Sequence, residues 1–344
     1  MVDNVGMGED EDVTKPVTIY DVARAAGVSA STVSRTFARP GRVSFATAER
    51  IKSVATRLGY RSVELRVKLG EGAQRHGTIA LVVADITNPV FFDMIRGAEE
   101  EAARNKYTTL LAHTRESAIV EREALERVVG MVDGIVLSSS RMSDSAIRAM
   151  AKQKPTLVMN RGVTGVASVV TDNARGMRRA IEHLGELGHQ DIAYLGGPDA
   201  SWAHGMRWRA LKEGAMELGL TVSLVESPAP TREGGAAVAE TVLASSATAV
   251  VGYNDQLALG FMMRAQELGC DVPGHISVVG FDNSAFAGLT TPGLTSVAAP
   301  LHALGVTAVR HLLGLSNGNV PDPFKPIVLP TRLVMRGSTG KPRG

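Results

Sequence analysis

A single cysteine, Cys270, occurs in 344 residues, which rules out a disulfide within the chain and suits a reducing compartment. No apolar run reaches the roughly 18 residues of a membrane span. The opening MVDNVGMGEDED is acidic where a secretory leader would be basic and then apolar. These absences predict a soluble, cytoplasmic protein with no membrane partner. Catalytic signatures are missing too: no G-x-G-x-x-G opens a helix after the first strand, and G-x-x-x-x-G-K-[ST] and G-x-S-x-G do not occur. GGPDAS reads as a turn. His183 and His189 lie on or near one helix, but no histidine spacing or Cys/His cluster suits a metal. The expectation is a protein that is not an enzyme and uses neither cofactor nor metal.

What is present starts with apolar content of 44%, enough for more than one core and for two or three domains. Charge is distributed unevenly. Residues 1–13 hold five acids and no base, residues 14–76 hold twelve Lys and Arg against four acids, and the remainder is nearly balanced. The surplus of positive charge is therefore local and predicts a polyanionic partner for that segment. The composition of 1–16 predicts an acidic disordered tail.

Residues 17–60 read as three short helices. Thr18 is a cap with Asp21 at the return position of a capping box, and Ile19, Val22, Ala23 and Ala26 recur on one helical face. Gly27 supplies the positive φ of a tight turn. Ser29 caps a second helix that turns Ala30, Val33 and Phe37 inward and leaves Ser31, Thr32, Ser34 and Arg35 on other faces. A third helix begins near Ser44 and buries Ile51, Val54, Ala55 and Leu58. Two helices joined through a Gly-containing turn form the motif whose second helix enters the DNA major groove.

TIYDVARAAGVSASTVSR, followed by RVSFATAERI and RLGY, resembles the DNA-binding headpiece of LacI/GalR-family transcription regulators. The resemblance implies DNA contacts from Thr18, Tyr20, Ser29, Ala30, Ser31, Thr32, Ser34 and Arg35. It also implies that the basic linker 61–76 folds into a hinge helix on DNA, with Leu69 entering the minor groove. Here the linker departs from the pattern: Ser62-Val63 and Arg66-Val67 stand where many relatives carry Pro-Asn and Ala-Arg. A flexible tether is the alternative.

From Gly77 onward, apolar strands such as TIALVVAD, DGIVLSS, DIAYLGG, TAVVGYN and ISVVGFD alternate with amphipathic helices. That is the rhythm of parallel sheets covered on both faces, an α/β fold in two similar halves. One helix is expected over 233–245. By the same resemblance, 77–340 is similar to periplasmic sugar-binding proteins: two discontinuous subdomains, with crossings near 172, 297 and 325 and a ligand between them.

Open α/β sheets bind at the carboxyl ends of their strands. Asp85, Asn88, Asn160, Arg161, Asn254 and Asp282 stand at such ends, and Arg207 sits near the start of a helix. Planar amides, carboxylates and a guanidinium suit a hydroxyl-rich ligand through paired hydrogen bonds. Each lone Asn or Asp is equally a turn or cap residue. Phe91 and Phe92 open a helix, either as core residues or, for one of them, as a border of the cleft. Pro230 stands where many relatives carry a stacking aromatic, and Trp202 is the candidate replacement. A small polyol or monosaccharide is therefore expected over a nucleobase.

The resulting expectation is an effector-controlled repressor that binds a palindromic, double-stranded operator as a homodimer, since one short helix reads too few base pairs for a unique site. The tail RGSTGKPRG has no heptads, which argues against a coiled-coil tetramer. The rivals are a sugar-binding transport component and a nucleotide-using α/β enzyme. The first would need a leader, the second a phosphate loop.

Overall fold

A computed structural model describes residues 17–38, 43–58, 76–316 and 325–343. These fall in two units, one within 1–74 and one within 75–344, each described by itself.

The first unit holds α1 (Ile19–Ala26), α2 (Ala30–Ala38) and α3 (Phe45–Leu58). Gly27 ends α1 at φ 63°, a backbone that a side chain would strain. Asp21 accepts from both the backbone N–H and the hydroxyl of Thr18, at 2.8 and 2.6 Å, so that carboxylate holds the helix start. Val22, Ala23, Ala26, Val33, Ile51, Val54 and Ala55 form the core. A core this small tolerates little loss. Residues 1–16, the linker 61–75 with Leu69, and the side chain of Phe37 lie outside the described residues.

The second unit contains two six-stranded sheets. The first sheet takes β1 (Thr78–Val83), β2 (Thr108–His113), β3 (Gly134–Ser138), β4 (Thr156–Met159), β5 (Ser168–Thr171) and, near the chain end, β11 (Ile327–Leu329), in the order β11-β5-β4-β3-β1-β2. Helices α4 (Val90–Arg104) and α12 (Leu301–Ser316) cover one face. On the other lie α5 (Ala118–Val128) and α6 (Asp144–Gln153). Because both faces are covered, β1 and β3 are buried almost throughout, as their unbroken apolar runs require.

The second sheet repeats the plan with β6 (Asp191–Leu195), β7 (Thr221–Val225), β8 (Ala249–Gly252), β9 (Ser277–Asp282), β10 (Thr295–Ala298) and β12 (Arg332–Val334), ordered β12-β10-β9-β8-β6-β7. α7 (Asn173–Glu186) and α8 (Trp202–Leu218) pack on one face. The other carries α9 (Arg232–Ala237), α10 (Ala239–Leu243) and α11 (Asp255–Glu267). The expected single helix over 233–245 is two pieces, because Val238 at ψ −1° interrupts the helical turn.

The chain passes between the sheets after β5, after β10 and after β11. The third passage was expected near 325 and falls at Pro330–Thr331. The reason is that β11 pairs in parallel with β5 of the first sheet before β12 pairs antiparallel with β10 of the second. The strand β5 itself was not anticipated, since four residues leave little periodicity to read.

Candidate functional site

Parallel strands of both sheets end at one cleft. Four polar residues there hold a backbone that side chains rarely adopt: Glu116, Ser139, Asn160 and Asp282 have φ of 58°, 55°, 59° and 110°. Such strain costs on the order of 1–3 kcal/mol per residue, and it clusters where function requires a side chain to be aimed.

Arg207 is the centre of the second subdomain's wall. It is only 3% exposed. Its Nε donates to Asn173 Oδ1 at 2.8 Å, Nη1 to the Tyr253 carbonyl at 2.5 Å and Nη2 to Asp282 Oδ1 at 3.4 Å. The guanidinium carbon also lies 3.5 Å from the Phe281 ring centroid, a desolvated cation–π contact. Burial pushes the Asp282 carboxyl up to about 7; Arg207 opposes the rise and the nearby Asp255 adds to it. Asp255 is itself raised to about 6 by burial, against bonds from Ser296 and Ser284. Its carboxylate occupies the place where a side chain at Gly280 would begin, 2.3 Å from Oδ1, so only glycine fits there.

The cavity between the subdomains is lined by Asn88, Val90, Phe91, Glu116, Ser139, Arg141 and Asn160 from the first, and by Arg207, Pro230, Tyr253, Asn254 and Asp282 from the second. Its volume of about 30 Å³ is far below the roughly 300–1,000 Å³ typical of small-molecule pockets.

Six sequence-predicted residues thus come together: Asn88, Phe91, Asn160, Arg207, Asn254 and Asp282. The other four do not line the cavity. Asp85 spends its carboxylate on the N–H and hydroxyl of Thr87, closing a turn. Arg161 donates to the carbonyls of Ser140 and Met142 and pairs with Asp144, which makes it a brace for the loop after β3. Phe92 is 51% exposed on α4. Trp202 lies against Gly162 instead, where a Cβ would be 3.6 Å from the indole. Asn254 also has its amide committed, accepting from the Leu257 N–H and donating to the Pro230 carbonyl.

Sequence reasoning missed Glu116, Ser139, Arg141 and Tyr253. Arg141 Nε donates to Glu116 Oε2 at 2.6 Å, an ion pair on the first subdomain's wall between residues 25 apart. Tyr253 lines the cavity too, with its hydroxyl 2.9 Å from the Ser201 hydroxyl. Its place in TAVVGYN beside Asn254 was the available signal.

In the headpiece, Ser29 Oγ accepts from the Thr32 N–H at 3.2 Å and caps α2. Ser31, Ser34 and Arg35 are exposed on that helix, while Thr32 and Ala30 are half-buried. Arg35 folds back on its own helix, donating to the Ser31 carbonyl and hydroxyl, each at 3.1 Å. Tyr20 on α1 is 67% exposed.

A helix-turn-helix headpiece and a two-lobed ligand-binding domain define a class of ligand-responsive DNA-binding regulators. Residues 18–62 match the family described as bacterial regulatory proteins, lacI family, and residues 181–339 match the periplasmic binding protein-like domain. The transcriptional regulator DegA of Bacillus subtilis is 33% identical over 94% of this chain and 98% of its own. Catabolite control protein A of Priestia megaterium is 30% identical over 94% and 99%. The lac repressor dimer bound to operator and an anti-inducer superposes with a TM-score of 0.71 at 27% identity, over 95% of this chain and all of that one. A CelR–cellobiose complex gives 0.70 at 28%, over 94% and 99%. The chain belongs to the LacI family: it is a DNA-binding transcriptional regulator and not an enzyme.

Proposed function

We propose that this protein is a cytoplasmic repressor that binds a palindromic operator as a homodimer and is released or held there by a small polyhydroxylated effector in the cleft. The observation that carries the effector assignment is the buried Arg207–Asp282 pair facing Asn88, Ser139 and Asn160 across the cleft. Vicinal hydroxyls accept from a guanidinium and donate to a carboxylate at the same time, and closure around them joins the two subdomains. Cellobiose and ribose are held by relatives with this fold, which supports a sugar-like ligand. Exposed Ser31, Ser34 and Arg35 on α2 are the residues we assign to DNA, with Thr18, Tyr20, Ser29, Ala30 and Thr32 placing the helix. Leu69 retains its assigned minor-groove role, outside the described residues.

The test is a pair of titrations on Asp282→Ala. Operator affinity without effector should match the parent, while the response to effector should be lost, because a buried hydroxyl deprived of its acceptor costs about 1–3 kcal/mol. Loss of operator binding with a normal effector response would reverse the assignment.

A further inference from the structure

Away from the cleft, a groove of about 310 Å³ runs between α7 and the edge strand β12, roughly ten times the free volume of the cleft. Arg175 and Arg179 from α7 and Arg332 from β12 line it, with Leu333 and Met335. The other basic residue of this helix face, Arg178, is paired with Glu217 at 2.6 Å, and Arg179 with Glu182 at 3.0 Å. Among the described residues, the guanidinia of Arg175 and Arg332 have no acid within ion-pair distance, although both are exposed and α7 carries Glu182 and Glu186. Arg175 and Arg179 stand four residues apart on one helix, where like charges repel. An anion between them and Arg332 would relieve that repulsion.

We infer that this groove is a second ligand site, for a small phosphate monoester. Guanidinium forks match the oxygens of a phosphate in pairs, and Arg175 and Arg332 offer two of them while Arg179 shares its own with Glu182. The apolar side chains of Leu333 and the exposed Met335, which line the groove, suit the organic part of the ester. Glu182 and Glu186 line the groove as well, and their charge disfavours an extended polyanion such as DNA. His183, in the same lining, is held below its usual pKa by burial, so it adds a neutral ring and no charge there.

The position gives the site access to the hinge. Thr331, which lines the groove, belongs to the third crossing and donates to the Asp172 carbonyl at 2.9 Å. Asp172 stands at the first crossing, bonded through its N–H to the Leu329 carbonyl at 2.9 Å, and its side chain caps α7 by accepting from the Arg175 N–H at 3.0 Å. A phosphate bound by Arg175 and Arg332 therefore touches the residues flanking two of the three connections between subdomains.

Calorimetric titration of the full chain with glycerol 3-phosphate, and with glycerol as the uncharged counterpart, tests this. Saturable uptake of the phosphate and none of glycerol is expected. Arg175→Ala and Arg332→Ala should each weaken it at least tenfold, and Glu182→Gln should tighten it. Arg209→Ala removes an exposed arginine of α8 that is paired with Glu213, and it should change nothing. The three arginines are exposed and Glu182 is half-buried, and unchanged melting temperatures will show that the variants fold. The inference is overturned if there is no saturable uptake, if glycerol binds as well, if binding survives Arg332→Ala, or if Arg209→Ala lowers it as much.

Discussion

Arg207→Ala separates two roles that the geometry assigns to one side chain. The guanidinium is 3% exposed, so truncation leaves the Asn173 amide oxygen, the Tyr253 carbonyl and the Asp282 carboxylate without their donor. Removing one partner of a buried charge pair costs about 3–5 kcal/mol, chiefly through the charge left behind. Asp282 has a way out of that cost. Its carboxyl is already pushed up to about 7 by burial, with Arg207 opposing the rise, so loss of Arg207 raises it further and the group takes up a proton near neutral pH. The native state then retains a proton that the unfolded chain gives up near its ordinary value of about 3.9. Over that interval the unfolded state binds fewer protons, and stability falls as pH rises. Because the folded value lies higher in the variant, its decline continues above the point where the parent's ends. The loss should therefore be modest at pH 6 and approach about 3–5 kcal/mol by pH 9. Urea unfolding at several pH values, followed by Trp202 and Trp208 fluorescence, measures it. A loss under about 1 kcal/mol, or one that does not grow with pH, would refute the picture of a buried pair.

Three further outcomes follow from named contacts. Arg35→Ala should weaken operator binding by about 1–3 kcal/mol with folding retained, since Arg35 is bonded back to Ser31 of its own helix and must swing out to reach DNA; gel-shift titration at physiological salt checks this, and unchanged affinity would remove α2 from the groove. Effector affinity should fall by up to tenfold per pH unit, about 1.4 kcal/mol, as pH drops below about 7, because a ligand hydroxyl competes with the proton for Asp282; a flat profile from pH 6 to 8 would separate Asp282 from the ligand. Gly305→Ala should destabilise the first subdomain by about 1–3 kcal/mol, since its new methyl would sit 2.1 Å from the Met94 carbonyl where α12 crosses α4; an unchanged melting temperature would mean that the helices can move apart freely.

Much of the molecule is local and was legible as such. The Thr18–Asp21 capping box, the glycine turn at 27 and the caps at Ser29 and Ser44 each involve residues a few positions apart, and the structure forms all of them. Buried parallel strands announce themselves by continuous apolar runs, and helix faces by their period. Chemistry at strand ends could be anticipated for Asn254 and Asp282, and for Arg207 on the helix that follows such an end, because parallel strands must all open toward one edge.

What sequence alone determined, then, is the kind of elements, the charge asymmetry that sets the headpiece apart and the edge at which ligand chemistry belongs. Tertiary structure decided which polar side chains remain available there. Asp85 was drawn into a turn by Thr87, two residues on, whereas Arg161 was drawn into a loop brace across 17 to 21 residues and Glu116 and Arg141 met across 25. It also decided that β11 joins the first sheet and β12 the second, two assignments separated by a Pro-Thr pair. A short apolar strand carries no mark of its sheet. Its partner is chosen by hydrogen bonds to strands more than 30 residues away, here Ser168–Thr171 for one and Thr295–Ala298 for the other, and that choice exists only once both sheets have formed.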